Sequence, residues 1–222
     1  PADWLHMSRT YDQQRHSPLD QINADNVGQL RMVWSRGLPL GAQESTPLVH
    51  DGVMYVIAPG DGVLALDATN GDLIWEQWGE HTPAETARSK TLGIYQDMVY
   101  HTAFDGFLRA LDARTGEVRW ETKIVDDGSR NSAGGVLVAN GNVISNRSCN
   151  RFDDRALDTT GRKGCFIAAH DAMTGEEAWK FFTTAGADDP GGDTWGTLTS
   201  EERVASPWGL PGSYDPVRKV TY

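Results

Sequence analysis

Ala65-Leu66-Asp67…Asn70-Gly71…Trp75 is written three times in this chain, again as Ala110-Leu111-Asp112…Thr115-Gly116…Trp120 and as Ala169-His170-Asp171…Thr174-Gly175…Trp179. In each copy the Asp precedes the Gly by four residues and the Trp by eight. A repeat of roughly 40 to 60 residues identifies an architecture before any residue identifies a chemistry. Each copy reads as a strand, a tight turn and a second strand carrying a Trp. Such a unit cannot bury its apolar face alone, so it stacks against others like itself.

Working outward from the motif, alternating apolar runs and turn residues predict strands at 46–50, 53–58, 63–67 and 73–77. A second set falls at 91–95, 98–103, 107–112 and 117–121, and a third at 136–139, 142–146, 165–171 and 177–181. Asp51-Gly52, Asp105-Gly106 and Asn140-Gly141 are hairpin turn signals. Four antiparallel strands per repeat make an all-β chain of β-propeller blades. A sandwich would give no reason for the recurring motif. The blades span 45–78, 90–122 and 132–182, after an N-terminal segment at 1–44 whose residues 30–34, ending in Trp34, read as a closing strand. Residues 205–222 begin a fourth blade. Three blades and fragments do not close a ring of four to eight, so the chain reads as part of a larger propeller whose other blades lie elsewhere.

Within the motif, Gly permits positive φ, Asp bonds the amides of its own turn, and Trp fills the gap between blades with its N–H on a backbone acceptor. Asp67, Asp112 and Asp171 are therefore structural on this reading.

Net charge of −11 argues against nucleic acid and anionic membrane surfaces as partners. No apolar run reaches membrane-spanning length. The two cysteines, Cys149 and Cys165, both fall in the third repeat. Trp75 to Trp120 is 45 residues and Trp120 to Trp179 is 59, an excess that nearly equals the 15 residues between the cysteines. A polar loop inserted in the blade and tied at its base by a Cys149–Cys165 disulfide accounts for this. Closure of such a loop is worth roughly 3 kcal/mol and implies an oxidising compartment such as the periplasm. Two free buried thiols are the other reading. The six His are scattered without ligand spacing, which disfavours a metal-only hydrolase.

Ser17-Pro18-Leu19-Asp20-Gln21-Ile22-Asn23, Glu44-Ser45-Thr46-Pro47-Leu48-Val49, the three Trp motifs, Gly191-Gly192-Asp193-Thr194-Trp195 and Ser206-Pro207-Trp208-Gly209 follow one another in order. Together they resemble the eight-bladed quinoprotein alcohol dehydrogenases, which use pyrroloquinoline quinone (PQQ) and Ca²⁺. The resemblance implies that Trp208 stacks under the quinone and that Glu44 bonds the cofactor. It places Lys90 where the family has an Arg, keeping the charge but losing the bidentate fork. Ser148 matches a hydroxyl near the cofactor carboxylates, and Asn131 and Ser132 lie near another polar contact.

This chain departs from that pattern in two places. The family's neighbouring-cysteine pair is absent around 86–90, and Arg151 stands where a Ca²⁺-binding Glu is expected. Asp153, Asp154 and Asp158 are oxygen donors nearby; the metal ligands stay unassigned. The Cys-containing third blade is more similar to polyvinyl-alcohol dehydrogenases and lupanine-hydroxylase-like relatives than to methanol dehydrogenases, which points to a bulky secondary alcohol. The implied reaction oxidises an alcohol to a carbonyl and passes electrons to a c-type cytochrome. The family's second metal ligand and catalytic base lie beyond the strand starting at Val220, so no catalytic residue is expected here and the chain alone should not turn over. A non-catalytic propeller scaffold is the competing reading. A WD-type interaction propeller fails for want of its Trp-Asp and Gly-His signatures.

Overall fold

The structure is a computed structural model that describes residues 3–10, 12–79, 89–125, 135–148, 164–207 and 211–222. Three four-stranded antiparallel sheets follow one another along the chain. The first is β1 (Leu48–His50), β2 (Val53–Ala58), β3 (Gly62–Asp67) and β4 (Leu73–Gln77). The second is β5 (Gly93–Tyr95), β6 (Met98–Thr102), β7 (Phe107–Asp112) and β8 (Val118–Lys123). The third is β9 (Leu137–Ala139), β10 (Asn142–Arg147), β11 (Phe166–Asp171) and β12 (Glu177–Phe182). Each is a simple meander in chain order, the form of a propeller blade.

A short pair, β13 (Tyr214–Asp215) and β14 (Val220–Thr221), follows. Within residues 205–222, expected to begin a fourth blade, these two-residue strands form around a turn in which Asp215 Oδ1 accepts from the Val217 and Arg218 amides. Residues 208–210 lie outside the described set.

The motif explains itself in cross-section. Ala65, Ala110 and Ala169 stand directly opposite Trp75, Trp120 and Trp179 across the β3–β4, β7–β8 and β11–β12 ladders. A small side chain beside each indole leaves it room on its face of the sheet. Immediately after that pair every ladder carries a register shift, between Ala65/Leu66, Ala110/Leu111 and Ala169/His170. A β-bulge there increases local twist and re-aims the outer strand.

The turn itself is closed by the Asp, whose Oδ1 accepts from Thr69 N in the first sheet, from Arg114 N and Thr115 N in the second, and from Met173 N and Thr174 N in the third. The motif Gly follows with φ of 78°, 77° and 75° in the three copies.

Trp75 and Trp120 each dock one unit further along. Trp75 Nε1 donates to Ala113 O at 3.0 Å and Trp120 Nε1 to Ala172 O at 3.1 Å. A Cβ on Gly116 would lie 2.5 Å from Trp75 Cε3, and one on Gly175 would lie 2.5 Å from Trp120 Cε3. Glycine is thus required twice, by φ and by the ring lying on it. Trp34 makes the same contact on the first sheet, donating to Ala68 O at 3.1 Å against Gly71.

The strand expected at 30–34 is not formed, although its Trp docks. A strand needs a partner with which to exchange backbone hydrogen bonds; Met32 and Val33 are exposed.

Two cores lie between sheets. Tyr55, Ile57, Val63 and Trp75 pack on Leu92, Ile94, Val99 and Leu111. Met98, Tyr100, Leu108 and Ala110 pack on Val136, Val138, Val143 and Phe166. The N-terminal segment lies along the inner strand of the first sheet: Trp4 and Val49 exchange both backbone hydrogen bonds, and Gln13 reaches Pro211 O and Gly212 O.

Candidate functional site

A meander puts alternate connections at opposite ends of its sheet. The turns at 51–52, 68–72, 96–97, 113–117, 140–141 and 172–176 share one end, where the indoles dock. The β2–β3, β6–β7 and β10–β11 connections and the chain between sheets occupy the other end. Of the residues singled out from sequence as cofactor contacts, the described ones, Glu44, Lys90 and Ser148, belong to that second, loop end.

Glu44 and Lys90 meet there as an ion pair between the segments leading into β1 and β5. Their side chains are 33% and 23% exposed, so the pair is partly screened by water. Its geometry is fixed from both sides. Gln43 Nε2 and Ser45 Oγ, flanking Glu44, both donate to Ile57 O at 2.9 and 3.1 Å. Thr46 N donates to Lys90 O at 3.1 Å, tying the two segments together.

Beside Lys90, Ser89 is held by a third group. Its Oγ lies 2.7 Å from Asp61 Oδ1 and 3.1 Å from Thr102 O. Asp61 also accepts from Phe104 N at 2.6 Å and faces His101 Nε2 at 3.1 Å. Burial pushes the Asp61 carboxyl up, but His101, the Phe104 amide and the Ser89 hydroxyl outweigh it and hold it below the usual carboxylate range.

The third sheet joins the same region at Gly135. A Cβ there would sit 1.8 Å from Thr91 Cγ2 and 3.3 Å from Pro211 Cδ. The starts of the second and third inner strands and the chain just past residue 210 therefore touch, and only a glycine fits between them. Ser148, at the end of β10, donates to Pro207 O at 2.6 Å. It is thereby fixed to the residue preceding Trp208.

Trp208, Asn131, Ser132 and Cys149 lie outside the described residues, as do Asp153, Asp154 and Asp158. Cys165 is fully buried at the entry to β11. Sequence reasoning left Asp61, Ser89 and His101 unassigned. A non-glycine between two glycines in the β2–β3 turn was the available signal for Asp61, which takes φ of 73°. His101 was visible only as a polar residue amid the apolar β6.

The described polar groups are of the kinds that could line the rim of a planar quinone: the Lys90 ammonium as donor, and the Glu44 carboxylate and the Ser148 oxygen as acceptors, from three different segments. They do not make a cation site. Among the described residues no group of three or more His, Cys, Asp or Glu comes together to hold a metal ion.

An apolar cavity of about 340 Å³ opens between the third sheet and β13–β14, lined by Leu137, Ile144, Ile167, Trp179, Phe181 and Pro211. Trp179 is 45% exposed on its rim, against 8% for Trp75 in the equivalent position.

A family model described as "PQQ: Glucose/ethanol/alcohol dehydrogenase, beta-propeller domain" matches residues 4–222. The quinohemoprotein alcohol dehydrogenase ADH-IIG of Pseudomonas putida is 38% identical over 195 residues, covering 84% of this chain and 26% of that protein. The dehydrogenase subunit of the alcohol dehydrogenase (quinone) of Gluconobacter oxydans is 32% identical over 253 residues, covering 100% of this chain and 32% of its own length. Among solved structures, a europium-containing methanol dehydrogenase superposes with a TM-score of 0.81 at 26% identity, over 97% of this chain and 41% of that one. The chain thus spans about a quarter to a third of the relatives it matches in sequence.

Proposed function

Because the chain belongs to the β-propeller family of PQQ-dependent glucose, ethanol and alcohol dehydrogenases, we propose that it forms part of an enzyme oxidising an alcohol to a carbonyl compound, with PQQ seated at the loop end of its sheets. The observation that carries this reading is the Glu44–Lys90 pair, built by two successive sheets at the end where the chain segments converge.

In this assignment the Lys90 ammonium attracts the oxygens of the cofactor, and Glu44 holds that ammonium in register and bonds the cofactor. Ser148 presents a hydroxyl fixed by Pro207, and Trp208 supplies a flat face for stacking. Asn131 and Ser132 complete the polar rim. The bound quinone supplies the two-electron acceptor chemistry. No catalytic base is assigned within these residues.

A Ca²⁺ ion beside the cofactor would supply Lewis-acid chemistry; its ligands are unassigned. Electrons leave to a c-type cytochrome, and the substrate is a bulky secondary alcohol, as in the polyvinyl-alcohol dehydrogenase-like branch. The remaining blades complete the ring. A Cys149–Cys165 disulfide ties the inserted loop of the third blade, consistent with a periplasmic protein. No described helix is long and apolar enough to cross a membrane.

The test is to add PQQ and Ca²⁺ to the full-length protein, following quinone absorbance and dye-linked oxidation of primary and secondary alcohols. Uptake of the cofactor with alcohol-dependent dye reduction is expected. Neither uptake nor reduction would overturn the assignment in favour of a scaffold.

A further inference from the structure

Asp61 sits in the β2–β3 connection of the first sheet, yet none of its side-chain bonds is to that sheet. Its Oδ2 accepts from Phe104 N, and its Oδ1 accepts from Ser89 Oγ and faces His101 Nε2, all three belonging to the second sheet or its lead-in. The carboxylate is nearly buried, 10% exposed, and His101 is 2% exposed. The backbone reaches this position in the left-handed region, with φ of 73° between Gly60 and Gly62. Asp tolerates that conformation better than most residues.

Ser89 is the residue immediately before Lys90. Its hydroxyl is held between Asp61 and Thr102 O, and the Lys90 carbonyl accepts from Thr46 N. Lys90 is thus anchored on its N-terminal side by a carboxylate from the preceding sheet, and through its own carbonyl by the segment carrying Glu44. A lysine ammonium on four methylenes has wide rotational freedom, so its aim depends on how firmly its backbone is held.

We propose that Asp61, backed by His101, is a positioning residue for Lys90, acting through Ser89. It touches no reacting group. This inference rests on the reading of Lys90 as a cofactor contact given above. A clamp that merely joined the two sheets would change stability alike with or without Lys90. A positioning residue loses its effect on the cofactor once Lys90 is gone.

The test is a double-mutant cycle on PQQ affinity in the full-length protein with Ca²⁺, using D61N, K90A and D61N/K90A, with melting temperatures taken without PQQ. K90A is expected to weaken PQQ binding at least about tenfold, D61N about fivefold, and the double variant no more than K90A alone. S89A cuts the link to Lys90 while keeping the Phe104 and His101 contacts of Asp61, and is expected to reproduce the affinity loss of D61N with a smaller change in melting temperature. It carries the cycle if D61N does not fold. Parental affinity in D61N or S89A, or full multiplication of the D61N and K90A effects, would overturn the positioning role. Parental affinity in K90A would instead remove Lys90 from the cofactor site, a distinct failure that takes this inference with it.

Discussion

The Tyr55 hydroxyl and the Trp75 indole N–H converge on a single acceptor, the Ala113 carbonyl, each at 3.0 Å. Their rings lie 5.9 Å apart and tilted by 46°. Tyr100 and Trp120 repeat the arrangement on Ala172 O. In the third sheet Ile144 takes the tyrosine's place opposite the motif alanine. Because the carbonyl keeps one donor when the other is removed, Tyr55→Phe should cost only about 1 kcal/mol. Trp75→Ala, which also empties the contact between sheets, should cost about 3–5 kcal/mol. Denaturant midpoints compare them directly, and equal losses would contradict the shared-acceptor account.

Two glycines at the same φ separate backbone strain from docking. Gly116 and Gly141 both have φ of 77°, but a Cβ on Gly116 meets Trp75 at 2.5 Å whereas one on Gly141 meets nothing within 4 Å. Gly141→Ala should therefore show the conformational penalty alone, about 1 kcal/mol. Gly116→Ala should cost clearly more and shift tryptophan emission to the red as Trp75 lifts from its seat. Identical losses with unchanged emission would mean the indole is not held by that turn.

The motif made the sheets legible because its Asp, Gly and Trp each have one mechanical task, and the spacing repeats. Its alanine went unexplained, since the reason for it, a cross-strand indole, exists only once β3 and β4 pair. Residues 30–34 show a related dependence: their apolar content suits a strand, but a strand is formed by its neighbour as much as by itself. Glu44 and Lys90 could be picked out by resemblance, whereas their contact could not. Asp61, Ser89 and His101 stayed hidden because they belong to three separate segments that only the stacking of sheets unites.

Acid should weaken the fold in two steps. Burial lowers the His6 pKa to about 4 from an ordinary value near 6.5. The unfolded chain therefore binds the proton first, and stability present above about pH 6.5 declines as pH falls toward 4, by up to roughly 3 kcal/mol. Asp61, held below the usual carboxylate range, contributes stability above its unfolded value near 4, which is lost as pH drops further through its folded value. Melting temperatures from pH 7.5 to 3 should fall across both windows. His6→Gln should flatten the upper one, and a profile unchanged by that substitution would remove His6 as its origin.

At the proposed cofactor contact, charge and reach can be told apart. Lys90→Arg keeps the positive charge and adds the bidentate fork that the resemblance implies at this position, and should bind PQQ in the full-length protein at least as tightly. Glu44→Gln removes the partner charge yet keeps an acceptor and should weaken binding by about three- to tenfold. Tighter binding with Glu44→Gln would show that the carboxylate repels the cofactor rather than orienting the lysine.

If Cys149 and Cys165 are joined, reduction should lower the unfolding free energy by about 3 kcal/mol for a loop of this size. Mass measurement after alkylation without reductant checks it, and two labelled thiols would refute the pairing.

Every indole that staples one sheet to the next is fastened at the end opposite Glu44, Lys90 and Ser148. The staples and the proposed chemistry therefore answer to separate mutations. Loops at the far end can lengthen, as between Arg147 and Phe166, without disturbing a staple, which leaves substrate preference free to drift while the architecture is inherited intact. Within the stapled end the opposite holds. A turn and the Trp of the preceding repeat, far apart in sequence, must change together or not at all.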